Sequence, residues 1–582
     1  MIKLGKRSRS VVTLFLCSVF ILSCGSPPSS NRVQSNRIEP RTTGVRGGSI
    51  SYRLVAAPKT FNYLLVADEP SLITAFFLLT GRLVEFDHTT QKFTPGLAES
   101  WTSTDGINYD ITLREGLKFS DGDPLTADDV VFTLDGLYDD RTKSPAFRDA
   151  MTIDGKPIAF RKIDDRRLQF TFPKVVASAE NYLTNVGVLP SHKLEAGKLA
   201  DAWKTDAPPE TIVTSGPFIV ASVAPGERVE LARNPHYWKK DSAGTQLPYL
   251  DKLTLEVIAD ANNTFVRLSQ GTLDVADRIR PNDFAELAKT AGTMRAVDVG
   301  PALGVDHLWF NLNTADPQGK PLSNDAKRAW FADKRFRQAI AAAIDRQTIA
   351  SITLQGLASP LYGFISPANR VWLDPNLPKI DYDLKRAEQM LADAGFKKGG
   401  TAESPVLSDA AGNAVEFTLI VPAENEPRKL TAAVVQEDLA KLGIKLQVVP
   451  LETAKLTERW QATYDYDAVL FGLSPTDLEP SSYGNFLLSS APTHQWQPKQ
   501  KTPATEWEAR IDQLFAEQSR ERDQARRREL IGEIQRIMRE EMPVVPLIAR
   551  HVASAGHSRV GNYTPSSIVP YSLWNAEELF VR

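Results

Sequence analysis

Apolar residues recur along this chain with two different spacings. Where they alternate with polar residues, or form a short apolar run, the pattern predicts strands. The segments with this pattern are Ser49–Val55, Tyr109–Leu113, Leu168–Phe172, Tyr249–Ile258, His307–Asn313, Phe417–Val421, Ile444–Val449 and Asp467–Gly472.

Elsewhere the apolar residues recur every three or four positions, which predicts amphipathic helices. These segments are Ser71–Leu83, Val130–Tyr138, Asn262–Gln270, Asp333–Arg346, Asp383–Gly395, Arg428–Gly443, Leu456–Ala462 and two charged helices within Glu506–Glu541. Helices that alternate with strands in this way predict a mixed α/β fold.

The segment Leu97–Leu134 combines several turn signals with a helix start. Asp105-Gly106 and Asp121-Gly122 are tight-turn dipeptides. Thr126 followed by Asp129 has the spacing of a helix N-cap with a carboxylate in the first turn. The turns and the helix cap account for the carboxylates of this segment, so we predict a scaffold element here and no ligand site.

The first 48 residues have the pattern of an export signal followed by a tether. A basic start precedes Val11–Ser23, thirteen almost wholly apolar residues, which is too short for the ~20 residues of a membrane span but suits a signal peptide. The sequence Leu22-Ser23-Cys24 resembles a lipobox, so residues 1–23 are the predicted signal peptide and Cys24 the predicted lipidation site. The alternative is an ordinary signal peptide with an incidental cysteine. Residues 24–48 lack periodicity and read as a flexible tether.

Composition narrows the class of protein. The chain has 582 residues, and single cores stop growing near ~250–300, so we expect two or three lobes. A net charge of −3 argues against nucleic acid as a partner. Arg526–Arg528 lies in a Glu-rich helix and is interpreted as a solvated helix face. The only cysteines are Cys17 and Cys24, so the exported part has no disulfide and no thiol nucleophile.

Motifs of catalysis are absent from the sequence. It contains no GxSxG, HExxH, GxxxxGK[ST] or GxGxxG pattern, and its seven histidines are scattered without metal-ligand spacing. We therefore expect neither a catalytic centre nor a bound metal or cofactor.

Two strings resemble one family closely. LAESWTSTDGINYDITLREGLKFSDGDPLTADDV, at the start of Leu97–Leu134, and GPFIVASVAPGERVELARNPHYW, within Val213–Trp238, are similar to the extracellular solute-binding proteins, family 5, of ABC importers for peptides, nickel and related solutes. The resemblance implies a periplasmic binding protein-like fold, with two major lobes, a hinge and a third, smaller domain inserted in the first lobe. It also implies that Pro543–Ala549 is a strand returning to the first lobe, and that the hinge crosses near Pro301–Gly304.

The same resemblance implies domain boundaries. Lobe I would combine residues 49–80, 191–302 and 553–582. The inserted domain would span residues 81–190, and lobe III residues 303–552. The expected function is that of a monomeric substrate-binding subunit that closes its lobes on an oligo- or dipeptide and delivers it to membrane permease subunits, which work with ATPase subunits. The expected location is the periplasmic space or the cell surface, with Cys24 as the lipid anchor.

Candidate ligand residues follow from the resemblance. Peptide-binding relatives hold the ligand's amino group with an aspartate after the buried strand of the second major lobe. Alignment on Glu479-Pro480 places Thr476 at that position and Asp477 next to it, and Leu473 stands where relatives often have tryptophan. Either Asp477 takes the role after a shift of one residue, or the ligand lacks a free amine.

Further candidates come from position alone. Arg428 and Lys429 start a helix where dipeptide-binding relatives carry an arginine for the ligand carboxylate, although a salt bridge would also explain a cation there. The other candidates for the cleft are Phe61, Asn62, Tyr483 and Trp496, the last because its polar loop makes a core position hard to explain. Two alternatives stay open: a nickel-chelate, haem or sugar ligand within the family, and an exported hydrolase on the same fold.

Overall fold

A computed structural model of the chain describes residues 39–290, 292–322, 326–475 and 477–582. The predicted signal peptide, Cys24 and Thr476 lie outside the described residues. Within those ranges, no helix is long and apolar enough to cross a membrane.

The strands are numbered in chain order. They are β1 Ser49–Leu54, β2 Val84–Asp87, β3 Lys92–Pro95, β4 Ala98–Thr102, β5 Asn108–Leu113, β6 Thr152–Ile153, β7 Lys156–Pro157, β8 Ala159–Lys162, β9 Arg167–Thr171, β10 Phe218–Ala224, β11 Arg228–Arg233, β12 Lys252–Val257, β13 Val275–Asp277, β14 Met294–Phe310, β15 Ala358–Pro360, β16 Lys397–Gly400, β17 Pro405–Ser408, β18 Glu416–Pro422, β19 Lys445–Leu451, β20 Ala468–Leu473, β21 Val544–His557, β22 Val560–Gly561 and β23 Phe580–Val581.

The α-helices are numbered in the same way. They are α1 Glu69–Ser71, α2 Ala127–Tyr138, α3 Pro145–Ala150, α4 Glu180–Leu183, α5 Ala261–Ser269, α6 Pro281–Leu287, α7 Ala326–Ala332, α8 Lys334–Ala343, α9 Arg346–Thr348, α10 Leu384–Asp393, α11 Glu426–Lys441, α12 Thr453–Glu458, α13 Gly484–Leu487, α14 Glu506–Gln518 and α15 Gln524–Glu541. The helix predicted over Ser71–Leu83 is mostly a π-helical stretch, Leu72–Leu78, that continues α1.

One eleven-stranded sheet runs through both major lobes. Its order is β10-β11-β12-β1-β13-β21-β14-β20-β18-β19, with β15 added on β21. The lobe I strand β1 pairs in parallel with β12 and β13, and the lobe III strand β18 pairs in parallel with β19 and β20. The mixed α/β fold predicted from the sequence is confirmed.

The long strands β14 and β21 join the lobes at the centre of this sheet. They pair antiparallel from Met294 opposite His557 to Trp309 opposite Val544. The pairing is irregular between Pro301 and Val305, where three residues of β14 lie opposite one residue of β21. Such an insertion interrupts the ladder and increases local twist. The predicted hinge near Pro301–Gly304 coincides with this irregularity, and the proposed boundaries at residues 302 and 552 fall inside continuous strands.

The inserted domain, residues 81–190, is built around the sheet β4-β5-β9-β8. In β5 every second side chain is buried, as its alternation predicts. At the start of α2 the Thr126 and Asp129 side chains form a reciprocal capping box. The turn and cap assignments for Leu97–Leu134 are therefore confirmed.

The hydrophobic cores follow the lobes. One large cluster joins lobe I to the inserted domain, so these two pack as a unit. Two others cover the two faces of the lobe III sheet. Helices α14 and α15 cover one of those faces. The interpretation of Arg526–Arg528 as a solvated face holds for Arg526 and Arg528 and is wrong for Arg527, which is 5% exposed.

Candidate functional site

The cleft between the inserted domain and lobe III encloses a cavity of about 500 Å³. That volume lies within the ~300–1,000 Å³ of small-ligand sites. Aromatic side chains dominate its walls, with charged groups between them. The lining residues that matter below are Phe76, Phe77, Arg82, Phe86, His88, Trp101, Glu180, Trp372, Asp477, Glu479, Ile568 and Val569.

On the inserted-domain side the wall is the β2–β3 hairpin. The ring of His88, in its turn, stacks on Trp574 with 5.2 Å between centroids, and its Nδ1 lies 2.8 Å from Ser566 Oγ. Burial, together with the nearby Arg82 guanidinium, lowers the pKa of His88 to about 3. The imidazole is therefore neutral and held in a fixed orientation at the cavity wall.

On the lobe III side the wall follows strand β20. Asp477 lines the cavity, and its Oδ1 accepts a hydrogen bond of 2.8 Å from the Glu479 backbone N–H. Glu479 in turn binds Arg527, with 2.6 Å between Oε2 and Nη2, and the Arg527 guanidinium lies 4.5 Å from the ring centre of Trp372. Burial raises the pKa of Glu479 even though Arg527 opposes the shift.

Direct contacts hold the cleft closed. Gln91, at the tip of the β2–β3 hairpin, donates from Nε2 to the Ala368 carbonyl at 2.7 Å and accepts from the Arg370 N–H at 3.1 Å. Arg370 also donates to the Thr89 carbonyl at 2.8 Å. Phe86 packs on an apolar cluster that includes Leu478.

A buried carboxylate stands at the hinge. Asp306, on β14, accepts from Arg428 at 2.9 Å through one oxygen and from Arg550 at 2.7 Å through the other. The side chain of Asp306 is 4% exposed, and the Arg428 guanidinium lies 4.5 Å from the Phe471 ring centre. Three elements, α11, β14 and β21, are thereby tied together beside the crossing strands.

A comparison with known protein families decides the class. Residues 92–495 match the model of "Bacterial extracellular solute-binding proteins, family 5 Middle". The chain belongs to this family. The family comprises extracellular solute-binding proteins.

Individual relatives match most of the chain. A probable ABC transporter-binding protein of Deinococcus radiodurans is 30% identical over 559 residues, 90% of each chain. The oligopeptide-binding protein AppA of Bacillus subtilis is 28% identical over 484 residues, 81% of each chain. Its structure with a nonapeptide superposes with a TM-score of 0.63 at 26% identity, covering 93% of this chain and 100% of that one. NikA from Brucella suis, in complex with Fe(III)-EDTA, shares the fold with a TM-score of 0.74 at 20% identity, covering 92% and 100%.

Of the ligand residues predicted for this solute-binding protein, the structure places Asp477 in the cleft. Arg428 lies at the hinge, in the salt bridge that was the alternative explanation for it. Lys429 is partly exposed and pairs with Glu426 at 2.6 Å on the same helix. A contact of Arg428 or Lys429 with a ligand stays a prediction.

Phe61 and Asn62 lie in the core of lobe I. Phe61 is 1% exposed and Asn62 is fully buried. The Asn62 side chain caps the short helix Tyr63–Leu65 and donates to the Leu199 carbonyl at 2.9 Å. Packing in the core explains Phe61, and its hydrogen bonds explain Asn62, without a ligand.

Tyr483 and Trp496 lie in the core of lobe III. Tyr483 is 1% exposed and packs edge-on against Phe364, with 5.4 Å between ring centres. Trp496 is fully buried, and its Nε1 donates to Glu508 Oε1 at 2.9 Å. The expectation that a polar loop leaves Trp496 outside the core is wrong, because the polar groups of that loop also converge on Glu508.

Sequence reasoning missed the hairpin wall. Neither Arg82 nor His88 belongs to a motif, and they lie just before and just after strand β2, so periodicity gives no signal for them. Glu508, the buried carboxylate that accepts from Trp496, was also missed. It did have a signal in the sequence, because Thr505 and Glu508 have the spacing of a capping box.

One polar cluster lies away from the cleft. Asp121, Asp123 and His192 bring their ligand atoms within 4.8 Å of one another, and Lys193 Nζ lies 3.5 Å from Asp121. Both aspartates were assigned to predicted turns, but no sequence pattern placed His192 beside them. Two carboxylates facing a lysine and an imidazole form a surface ion-pair network.

Proposed function

We propose that this protein is the substrate-binding subunit of an ABC importer for peptides. The observation that carries the proposal is the enclosed aromatic cleft, with acidic groups on the lobe III wall and a donor-bearing hairpin opposite. Aromatic walls accommodate varied side chains, and a few fixed polar groups orient the ligand. The names of the relatives support a peptide ligand, since AppA of Bacillus subtilis is an oligopeptide-binding protein.

Binding proceeds by closure of the two lobes. The strands β14 and β21 form the hinge, and the hairpin contacts at Gln91 close the far side of the cleft. A ligand shifts the protein toward the closed form only by its greater affinity for that form. The closed protein then docks on membrane permease subunits, whose ATPase partners supply the energy of transport.

Export and anchoring complete the proposal. The signal peptide of residues 1–23 directs export, Cys24 carries lipid, and residues 24–48 tether a monomeric protein in the periplasmic space or at the cell surface. A lipid anchor keeps the binding protein near its permease. Two or more acyl chains are needed for stable attachment.

Native mass spectrometry of protein purified from its own host tests the ligand class. A mixture of co-purifying peptides is the expected result. A single defined nickel chelate, haem or sugar would contradict the peptide assignment and leave the binding-subunit assignment in place. Peptides recovered cut after incubation with the pure protein would favour the alternative of an exported hydrolase.

Asp477→Asn tests the amino-group site. We propose that the Asp477 carboxylate holds the α-amino group of the peptide, while its Oδ1 keeps the local turn through the Glu479 N–H. The asparagine retains an oxygen for that turn and removes the charge. A charge-assisted hydrogen bond contributes about 1.5–3 kcal/mol, so peptide affinity should fall at least about tenfold.

Asp465→Asn is the matched control, because Asp465 is exposed just before the other end of strand β20. Calorimetric titration with a tripeptide should give the wild-type affinity for the control. Unchanged affinity in Asp477→Asn would remove Asp477 from the site.

A further inference from the structure

We infer that the inserted domain, through Arg82 and His88, binds the carboxylate end of the ligand, which makes the preferred solute a short peptide with a free C-terminus. This inference rests on the proposed function. It concerns a wall of the cleft that the sequence pattern did not mark, and it assigns the opposite ligand end from the one proposed for Asp477.

Arg82 has the position and the free donors for this role. Its guanidinium lies 4.9 Å from the ring centre of Phe77 and 5.5 Å from that of Phe76, at the cavity wall. Among the residues that the structure describes, its side chain has neither an ion pair nor a hydrogen bond. Glu85, an acidic group close by, is held by Lys239 at 2.7 Å. An arginine carries five donors and matches a carboxylate with two parallel hydrogen bonds.

His88 adds a second hydrogen-bond donor for the ligand carboxylate. Ser566 Oγ accepts from the Ile568 N–H at 3.0 Å, and its own proton has one partner within the described residues, His88 Nδ1. If the serine donates to Nδ1, the neutral imidazole carries its proton on Nε2. In the described part of the chain Nε2 has no partner, so its N–H is available to an oxygen acceptor in the cavity.

Arg428, the arginine predicted for the carboxylate, is engaged elsewhere. It binds Asp306, whose second oxygen is occupied by Arg550. Releasing Arg428 to a ligand would leave that buried carboxylate with less compensation, which is costly. Arg82 has no ion pair to break among the described residues, and the partly buried Glu85 whose pKa it helps to lower keeps Lys239 as its partner, so Arg82 is the better partner for a ligand anion.

The charges of the two walls give the ligand a direction. Asp477 and Glu479 line the cavity from lobe III, and Arg82, Lys92 and the His88 N–H line it from the inserted domain. Each wall also has one charge of the opposite sign, Arg528 on lobe III and Glu180 on the inserted domain, so the direction rests on the placement of Asp477 opposite Arg82. A zwitterionic peptide placed between them has its amino end toward lobe III and its carboxylate toward the inserted domain. Electrostatic complementarity of this kind fixes the orientation of a ligand more than it raises affinity.

The test is calorimetric titration of the full mature protein with Ala-Phe-Ala and with its C-terminal amide. Wild type should prefer the free acid by about tenfold or more, since a bidentate ionic contact is lost in the amide. Arg82→Gln should weaken the acid to the level of the amide and leave the amide unchanged. Arg82→Lys should keep part of the preference, and Arg161→Gln, an exposed arginine on β8, all of it.

Two further variants make the result decisive. His88→Phe keeps the stacking on Trp574 but removes the N–H, so it should weaken acid and amide equally, by about fivefold. Arg428→Gln should retain the preference for the acid. The inference is overturned if wild type binds both peptides equally, or if the preference survives in Arg82→Gln and disappears in Arg428→Gln. If wild type binds neither peptide, the proposed function fails as well.

Discussion

The environments of His494 and His88 differ in how many of the ring nitrogens have a partner. In lobe III, His494 uses both ring nitrogens, one 3.0 Å from the Phe486 carbonyl and one 3.4 Å from Glu508. At the cleft, His88 uses only Nδ1 among the described residues. Both rings pack on tryptophan, His494 on Trp496 and His88 on Trp574.

The Glu508 cluster stabilises the fold, whereas the cleft wall has donors that a ligand can use. Around Glu508, the donors of Trp496, Gln500 and Thr505 converge within 2.9 Å of one carboxylate, so that cluster is complete. At the cleft wall, Arg82 and His88 have side-chain donors with no hydrogen-bond partner among the described residues. A buried polar group without a partner is costly, and it persists where a ligand supplies the partner. Arg82 and His88 thus offer donors at the cavity wall, which the completed Glu508 cluster does not.

The largest effect is expected from Glu508→Ala. The substitution leaves the donors of Trp496 and Gln500 without an acceptor inside the core, and should lower the free energy of unfolding by about 3 kcal/mol. Urea titration measures it. Glu506→Ala, an exposed position on the same helix, should cost less than about 1 kcal/mol. Equal effects of the two would show that the cluster is not a structural one.

Lowering the pH should reduce the difference in unfolding free energy between wild type and Glu508→Ala. Burial alone would raise the pKa of Glu508, but hydrogen bonds from His494, Gln500, Trp496 and Thr505 lower it to about 2. A carboxylate with a lowered pKa stabilises the fold above its unfolded pKa of about 4.5, and that contribution is lost as pH falls toward 2. Unfolding free energies of wild type and Glu508→Ala should therefore approach each other between about pH 4.5 and pH 2. A constant gap would contradict the assignment.

An intermediate effect is expected at Gln91, whose bonds cross the cleft. Gln91→Ala removes two hydrogen bonds of the closed form, so the ratio of closed to open protein without ligand should fall about tenfold. Fluorophores on cysteines introduced at Lys156 and Lys501 report the distance between the inserted domain and lobe III. Lys92→Ala, next to Gln91 and without a described cross-cleft hydrogen bond, should leave the distribution unchanged. No shift in Gln91→Ala would mean that other contacts hold the lobes.

The smallest effect on stability is expected at the cleft wall. Arg82→Gln and His88→Phe remove groups that contribute little to the fold, so each should change the free energy of unfolding by less than about 1 kcal/mol. Urea titration without ligand measures this beside Glu508→Ala. A loss as large as that of Glu508→Ala would place these residues with the structural cluster and remove the contrast between the two regions.

Most of the fold could be predicted from the sequence because the patterns that indicate strands and helix caps are local. The strand at Ser49–Val55, the cap at Thr126 and the helix that starts after Asp383 were all predicted and are confirmed. The π-helical turn at Leu72–Leu78 was not, because its apolar spacing is close to that of an α-helix. The two long strands were found only in pieces, since period 2 breaks at the irregular pairing around Pro301–Val305.

The site was less predictable because it depends on contacts distant in sequence. Asp477 was located through a family pattern, Tyr483 was proposed from its position along the chain, and Trp496 was also judged by the polarity of its loop. That polarity was misleading at Trp496, where Gln500 and Thr505 form the inside of a cluster. His88 meets Ser566 and Trp574, nearly 480 residues away, and a contact of that kind leaves no trace in local spacing.

The paired strands β14 and β21 have a mechanical consequence. Because they are the central members of one continuous sheet, their ladder hydrogen bonds resist sliding of one lobe past the other, and bending of this two-stranded ribbon is the motion compatible with closure. The insertion between Pro301 and Val305 gives the ribbon a compliant point, and the Asp306 pairs stiffen it on one side. A permease that senses the angle between the lobes would then respond to the bend of this ribbon.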